Sequence, residues 1–138
     1  MIDYLKGRVA DWQDGFLVLV PIDGLGVQVV IPTSMHYGVD DQATVYTHLS
    51  LASSNNGSSF IPTLYGFRSI RERDVFLLLQ TVNGVGAKAA MRVMALGGEE
   101  IVSAIKCGDH GRLKVKSVGP KLTKRIVDDL RKKIAVLT

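Results

Sequence analysis

Two short stretches carry residue types in an order that makes an anion site. The first is residues 81–90, TVNGVGAKAA. A helical pattern ends at Val82, Asn83 opens a turn, Gly84 and Gly86 flank the apolar Val85, and a new helical pattern begins at once. Glycine permits positive φ and lets another backbone come close. Val85 is suited to anchor the turn in a core. The unsatisfied N–H groups at the start of the next helix then face outward, beside the positive end of its dipole, where they suit a phosphate. Lys88 and Arg92 lie one turn apart on that helix and flank the same phosphate, while Ala89, Ala90 and Ala95 are small enough for close helix packing.

The second stretch is residues 114–125, KVKSVGPKLTKR. Its plan repeats the first: apolar Val118, then Gly119, then a helix with Pro120 in its first turn, where the missing N–H costs least. Lys116 precedes Ser117, which stands where the first copy has Gly84, and Lys121, Lys124 and Arg125 follow on the exposed side. The candidate backbone-binding residues are therefore Asn83, Gly84, Val85, Gly86, Lys88 and Arg92, and Lys116, Ser117, Val118, Gly119, Lys121, Lys124 and Arg125. One Gly-x-Gly is explained as well by a tight joint between helices as by binding. Two copies, each followed by basic residues, point to a sequence-independent grip on the DNA backbone, one strand to each turn.

Charge agrees with that placement. Residues 1–65 hold two basic and six acidic side chains, whereas residues 66–138 hold 15 basic and 7 acidic ones. The second part is thus +8 and the first −4, an asymmetry that suggests an anionic partner for the basic part. Solubility is the plainer reading of the +4 total. The acidic first part would repel phosphate, and Trp12 beside Asp11 and Asp14 is a poor stacking platform for single strands.

The elements that must position these turns change character along the chain. Residues 16–21 (FLVLVP) form an apolar run after the Asp14-Gly15 turn, residues 27–31 follow the turn at 24–26, and residues 44–51 (TVYTHLSL) alternate. Short strands closely spaced by Gly, Asp and Pro suggest a small barrel. Residues 53–59 (SSNNGSS) are too polar to pack and read as an exposed loop. Beyond Gly66 the period becomes helical at Val75, Leu78, Leu79 and Val82, and again at Leu122, Ile126, Leu130 and Ile134. The fold class expected is α+β by segregation: a β-barrel over residues 1–65 and an all-α domain over residues 66–138. Asp128 with Lys132 and Asp129 with Lys133 are spaced for i,i+4 pairs on a solvated face. Met91 and Met94 read as core residues.

Catalytic patterns are missing. The sequence has no G-x-x-x-x-G-K-[ST] for ATP, no carboxylate cluster for a nuclease metal, and no G-x-S-x-G or Cys/His arrangement for acyl transfer. His36, His48 and His110 are scattered without metal-ligand spacing. The expectation is no catalytic residue, no metal and no cofactor. The lone Cys107 rules out an internal disulfide and suits a reducing cytosol. No apolar run approaches a membrane span, and residues 1–6 lack a signal peptide's apolar region, so a cytoplasmic protein with no membrane partner is expected.

Together these residues resemble the RuvA family, which recognises Holliday junctions in bacterial recombination and repair. The resemblance rests on Met1-Ile2 with Leu5-Lys6-Gly7, the Gly24-Leu25-Gly26-Val27 turn, Thr47-His48, Leu64-Tyr65-Gly66-Phe67, Arg73, Phe76, residues 83–88 (NGVGAK), and Thr123 with Arg125. It implies an N-terminal OB-type barrel and a helical domain with two helix-hairpin-helix motifs. It also implies a homotetramer, alone or paired as an octamer, that holds four-way junction DNA by its backbone and hands it to a RuvB-type hexameric ATPase. A closed four-fold ring suits four DNA arms.

The sequence departs from the family in three places. Lys116-Ser117-Val118-Gly119 stands where the family usually shows Pro-Gly-Ile-Gly. Residues 53–59 carry no charge where the family has a short acidic hairpin at the junction crossover. The sequence also stops soon after the second turn, where the family continues through a linker to a domain that contacts RuvB, so the ATPase contact stays open. Two other readings of the residues remain: a nuclease or glycosylase built on the same turns, and an RNA-binding module.

Overall fold

The computed structural model describes residues 1–53, 57 and 59–137. Most of the polar loop expected at residues 53–59 lies outside the described residues, at 54–56 and 58. The chain divides into two compact units, Met1–Arg73 and Asp74–Thr138. The division falls between Arg73 and Asp74, where sequence alone placed it at Gly66.

The first unit is a closed barrel of five strands: β1 (Tyr4–Gln13), β2 (Phe16–Ile22), β3 (Leu25–Val30), β4 (Gln42–Ser53) and β5 (Phe60–Phe67). Their order around the barrel is β1-β2-β3-β5-β4. Every pairing is antiparallel except β3 with β5, which closes the barrel in parallel at Val30 opposite Tyr65. The arrangement is consistent with an OB-like domain, and with the helices that follow it makes an α+β chain. Strand alternation sends Val9, Leu17, Leu19, Val29 and Val45 inward, each fully buried.

Residues 16–21 and 44–51 fall on β2 and β4, and residues 27–31 fall on β3 except Ile31 just past its end, but β1 and β5 gave no clean alternation. β1 bulges between Val9 and Asp11, which breaks its period. β5 contains Pro62 and Gly66, both of which read as strand breakers. Gly66 is nevertheless required by the narrow interior: a Cβ there would sit 2.5 Å from Val29 Cγ1 and 3.2 Å from Val45 Cβ. Thr47 and Arg73 are structural too. The buried Thr47 hydroxyl donates to the Ile2 carbonyl at 2.7 Å, and Arg73 Nη1 donates to the Asp3 carbonyl at 2.9 Å and the Asp3 carboxylate at 2.8 Å. Trp12 is half-buried against the barrel core and donates its Nε1–H to the Met35 carbonyl at 3.2 Å.

Four α-helices follow: α1 (Ile70–Leu79), α2 (Ala87–Met94), α3 (Gly98–Cys107) and α4 (Pro120–Leu130). Short 3₁₀ turns occupy His110–Leu113 and Ile134–Leu137. α4 buries Thr123, Ile126, Val127 and Leu130 along one stripe, which is the amphipathic pattern that makes it helical. Met94 is buried, while Met91 is only half-buried. The expected i,i+4 pairs at Asp128–Lys132 and Asp129–Lys133 need correction. α4 ends at Leu130, so both lysines lie past the helix, and Asp128 instead meets His110 Nε2 at 3.4 Å. Among the described residues, no helix is long and apolar enough to cross a membrane.

The barrel wall tests its own packing. A Cβ on Gly7 would collide with the Val20 carbonyl and lie 2.7 Å from Pro21 Cα, whereas one on Gly26 would meet Val18 Cγ1 at an ordinary 3.6 Å. Overpacking against backbone that cannot yield costs about 1–3 kcal/mol or more. Gly7→Ala should therefore lower the midpoint of chemical denaturation clearly, while Gly26→Ala should leave it nearly unchanged. Equal midpoints would mean that β1 and β2 are not this closely apposed.

Candidate nucleic-acid interface

The first turn leaves α1 through two short backbone bonds, Val82 N–H to the Leu79 carbonyl at 3.2 Å and Val85 N–H to the Val82 carbonyl at 3.0 Å. Between them Gly84 takes φ +90°, a conformation that L-residues rarely adopt. That reversal drives Val85 into the core, where it is 6% exposed, and returns the chain to the surface at Gly86. Gly86 caps α2 in extended conformation (φ −93°, ψ −177°), and no side chain caps the helix. The first intrahelical bond runs from Ala90 N–H to the Gly86 carbonyl at 3.0 Å. The N–H groups of Ala87, Lys88 and Ala89 are thus left without helical partners at the positive end of the dipole.

The second turn repeats this geometry 33 residues later. Val118 N–H donates to the Val115 carbonyl at 3.2 Å, and Thr123 N–H donates to the Gly119 carbonyl at 3.1 Å. Ser117 takes φ +69°, Val118 is buried, and Gly119 caps α4 in extended conformation (φ −70°, ψ 159°) without a side-chain cap. Ser117 differs from Gly84 in sequence and matches it in backbone. Pro120 occupies the first turn of α4 with no N–H to orphan.

The glycines of these turns fall into two kinds. Gly84 is needed for its dihedral angle. Gly86 and Gly119 are not: both are extended, and a Cβ on either would meet nothing within 4 Å. A side chain at Gly86 would not strain the turn, because its φ is open to any residue. A Cβ at either position would instead stand in open space beside the exposed helix start.

The structure brings the two sets of candidates into one unit. Asn83, Gly84, Gly86, Lys88 and Arg92 are exposed, as are Lys116, Ser117, Gly119, Lys121, Lys124 and Arg125. Val85 and Val118 are buried anchors, so their part in any contact is limited to their backbone. Among the described residues, no ion pair joins Lys88, Arg92, Lys116, Lys121 or Lys124 to a carboxylate. Arg112 differs: its Nε donates to Glu100 at 2.8 Å, a hydrogen bond that holds the Glu100 carboxyl below its usual range. That cation is neutralised locally and adds little to the basic field.

Two features escaped the sequence reading. Arg125 reaches across to the first turn, where its Nη1 donates to the Asn83 carbonyl at 3.0 Å. A cleft of about 530 Å³ lies beside the second turn, lined by His110, Lys114 and Lys116 over Val115, Val118 and Pro120. Lys114 stood in the quoted stretch, and only the 3₁₀ turn that carries His110 brings the two together.

These features define a class of two-unit α+β protein: a closed five-stranded barrel ahead of a basic helical unit with two outward-facing, uncapped helix starts. Residues 1–56 match the family described as the RuvA N terminal domain. Over 136 residues the chain is 34% identical to a Lactobacillus gasseri protein named Holliday junction branch migration complex subunit RuvA, covering 97% of this chain and 67% of that one. Proteins of the same name from Pseudomonas fluorescens and an Exiguobacterium species are 36% and 34% identical, covering 95% and 99% of this chain and 64% and 68% of their own lengths. The chain belongs to the RuvA family, and it spans about two-thirds of the length of these relatives.

The paired turns carry an internal test. A serine held at φ +69° is strained where glycine is not, so Ser117→Gly should stabilise the helical unit by about 0.5–1 kcal/mol. Gly84→Ala should destabilise it by about 1–3 kcal/mol, because φ +90° is foreign to alanine. Thermal denaturation reads both. Destabilisation by Ser117→Gly would show that the two turns do not share a backbone.

Proposed function

We propose that this chain binds the sugar-phosphate backbone of four-way junction DNA without reading its sequence, as the non-catalytic subunit of a branch migration complex in recombination and repair. The two turns then act as helix-hairpin-helix motifs. The observation that carries the reading is the pair of glycines, Gly86 and Gly119, for which the fold itself has no steric or conformational use. Each keeps the space over a helix start clear to backbone approach, as a phosphate requires. The names of the relatives support the choice of junction over plain duplex.

The residues take separate roles in this reading. N–H groups around Gly84, Gly86, Ser117 and Gly119, with Asn83 and Lys116 at the entry to each turn, receive the phosphates. Val85 and Val118 hold the turns down. Lys88, Arg92, Lys121, Lys124 and Arg125 supply positive potential. A homotetramer, single or paired, would repeat these contacts once for each DNA arm. A RuvB-type hexameric ATPase would be the motor partner, with the protein acting in the cytoplasm and needing no cofactor.

Backbone binding predicts steep salt dependence. Each neutralised phosphate contributes about 0.9 to the log–log slope, and two turns in each of four subunits give roughly −7. The measurement is a gel shift of a four-way junction against linear duplex of the same sequence, across salt concentrations. Gly86→Val should fold normally, since its φ is unstrained, and yet bind the junction at least tenfold more weakly. Undiminished binding by that variant, or a slope near zero, would remove the backbone N–H mechanism. Cutting of the junction by the pure protein would instead favour a nuclease on the same turns.

A further inference from the structure

We propose that Arg125 is a positioning residue that straps the first turn to α4, so that both phosphate-binding helix starts are presented at one fixed spacing. The inference rests on the function proposed above.

Arg125 belongs to the helix that follows the second turn, yet its Nη1 donates to the carbonyl of Asn83 in the first turn at 3.0 Å. The same nitrogen lies 3.4 Å from where a Gly84 Cβ would stand, and Leu122 Cδ1 lies 3.5 Å from that point. Two side chains of α4, one apolar and one cationic, therefore rest on the residue whose left-handed backbone makes the first turn. The repeat shows that this contact is particular to the second copy. Arg92 occupies the corresponding position on α2, is exposed, and has no side-chain hydrogen bond or ion pair among the described residues. Equivalent arginines thus have different work: Arg92 is available as a charge, while Arg125 is engaged by a backbone carbonyl.

Guanidinium suits this task. Its planar fork can place one nitrogen on a carbonyl while the others remain in plane and in solvent. The consequence is pre-organisation. Two contacts on one duplex reinforce each other only when their separation is fixed before binding, because otherwise the second contact must pay for the ordering. At Gly84, the contact point, both α4 side chains stand at ordinary van der Waals distance from where a Cβ would be, so glycine is needed there for its φ and not for space.

The test compares Arg125→Ala and Arg125→Lys with Arg92→Ala in junction binding across salt, and repeats a double-mutant cycle of Gly86→Val with Gly119→Val in the wild-type and Arg125→Ala backgrounds. All three arginine substitutions are at exposed positions, and Arg125→Lys replaces the alanine variant if the latter melts early. Arg125→Ala should weaken binding about tenfold, and Arg92→Ala clearly less. Arg125→Lys keeps the charge and should not restore affinity. The two glycine substitutions should be coupled in the wild type and additive without Arg125. The strap is overturned if Arg125→Lys binds like wild type, if both alanine variants weaken binding equally, or if the glycine coupling survives loss of Arg125. If Gly86→Val weakens binding and no Arg125 variant does, this inference falls alone. If neither matters, the phosphate reading falls with it.

Discussion

A single left-handed residue followed by a buried valine decides where α2 and α4 begin and which way they face. The positive φ at Gly84 and Ser117 turns the chain back on itself within one residue. The next side chain, Val85 or Val118, then fills the core rather than the surface. With the valine pinned, the following residue has to emerge at the surface, and the helix has to start there. Every property assigned to the interface follows from that order. The N–H groups face outward because the anchor faces inward. No packing or dihedral demand inside the protein calls for glycine at the caps, and the space above each is open.

The barrel follows a comparable economy of space in a different form. Its interior is narrow enough that Gly66 cannot carry a Cβ beside Val29 and Val45, and its wall is close enough at Gly7 to exclude one beside Val20. The Leu64-Tyr65-Gly66-Phe67 run therefore belongs to a strand. Leu64 and Phe67 are buried, and the glycine fits between two valines of neighbouring strands. Thr47 and Arg73 tie the N-terminal residues Ile2 and Asp3 to the same unit. Residues that suggested kinship in sequence thus have packing duties in this chain, separate from the turns that carry the proposed binding.

How much of this was legible in the sequence depends on the kind of signal. An apolar run after a turn located β2, and apolar alternation located β3 and β4. It missed β1, where a bulge shifts the period, and β5, where Pro62 and Gly66 look like punctuation. The turns were legible because left-handed backbone, apolar anchor and basic helix occupy consecutive residues. Ser117 shows the limit of that reading. It counted as a departure when judged by residue type, yet its φ of +69° repeats the conformation of Gly84. Helix length was misjudged at Lys132 and Lys133, since spacing alone does not reveal that α4 stops at Leu130. The His110–Asp128 pair and the Arg125–Asn83 bond join residues 18 and 42 positions apart, a tertiary fact that no local pattern encodes.

The repeat makes the same point about charge. Counting cations in residues 66–138 gives a strongly basic segment, but the structure divides those cations by employment. Arg112 is held by Glu100 and Ser103, and Arg125 gives one nitrogen to a carbonyl. Lys88, Arg92, Lys121 and Lys124 are exposed and have no carboxylate partner among the described residues. A phosphate chain near the two helix starts would meet the second group at full charge, Arg125 at full charge but with one N–H already engaged, and Arg112 at a discount because a carboxylate neutralises it. Long-range attraction, orientation by backbone N–H groups and a fixed spacing between turns are then supplied by different residues. For that reason, removing one lysine and removing Arg125 are physically different perturbations, although each subtracts one positive charge.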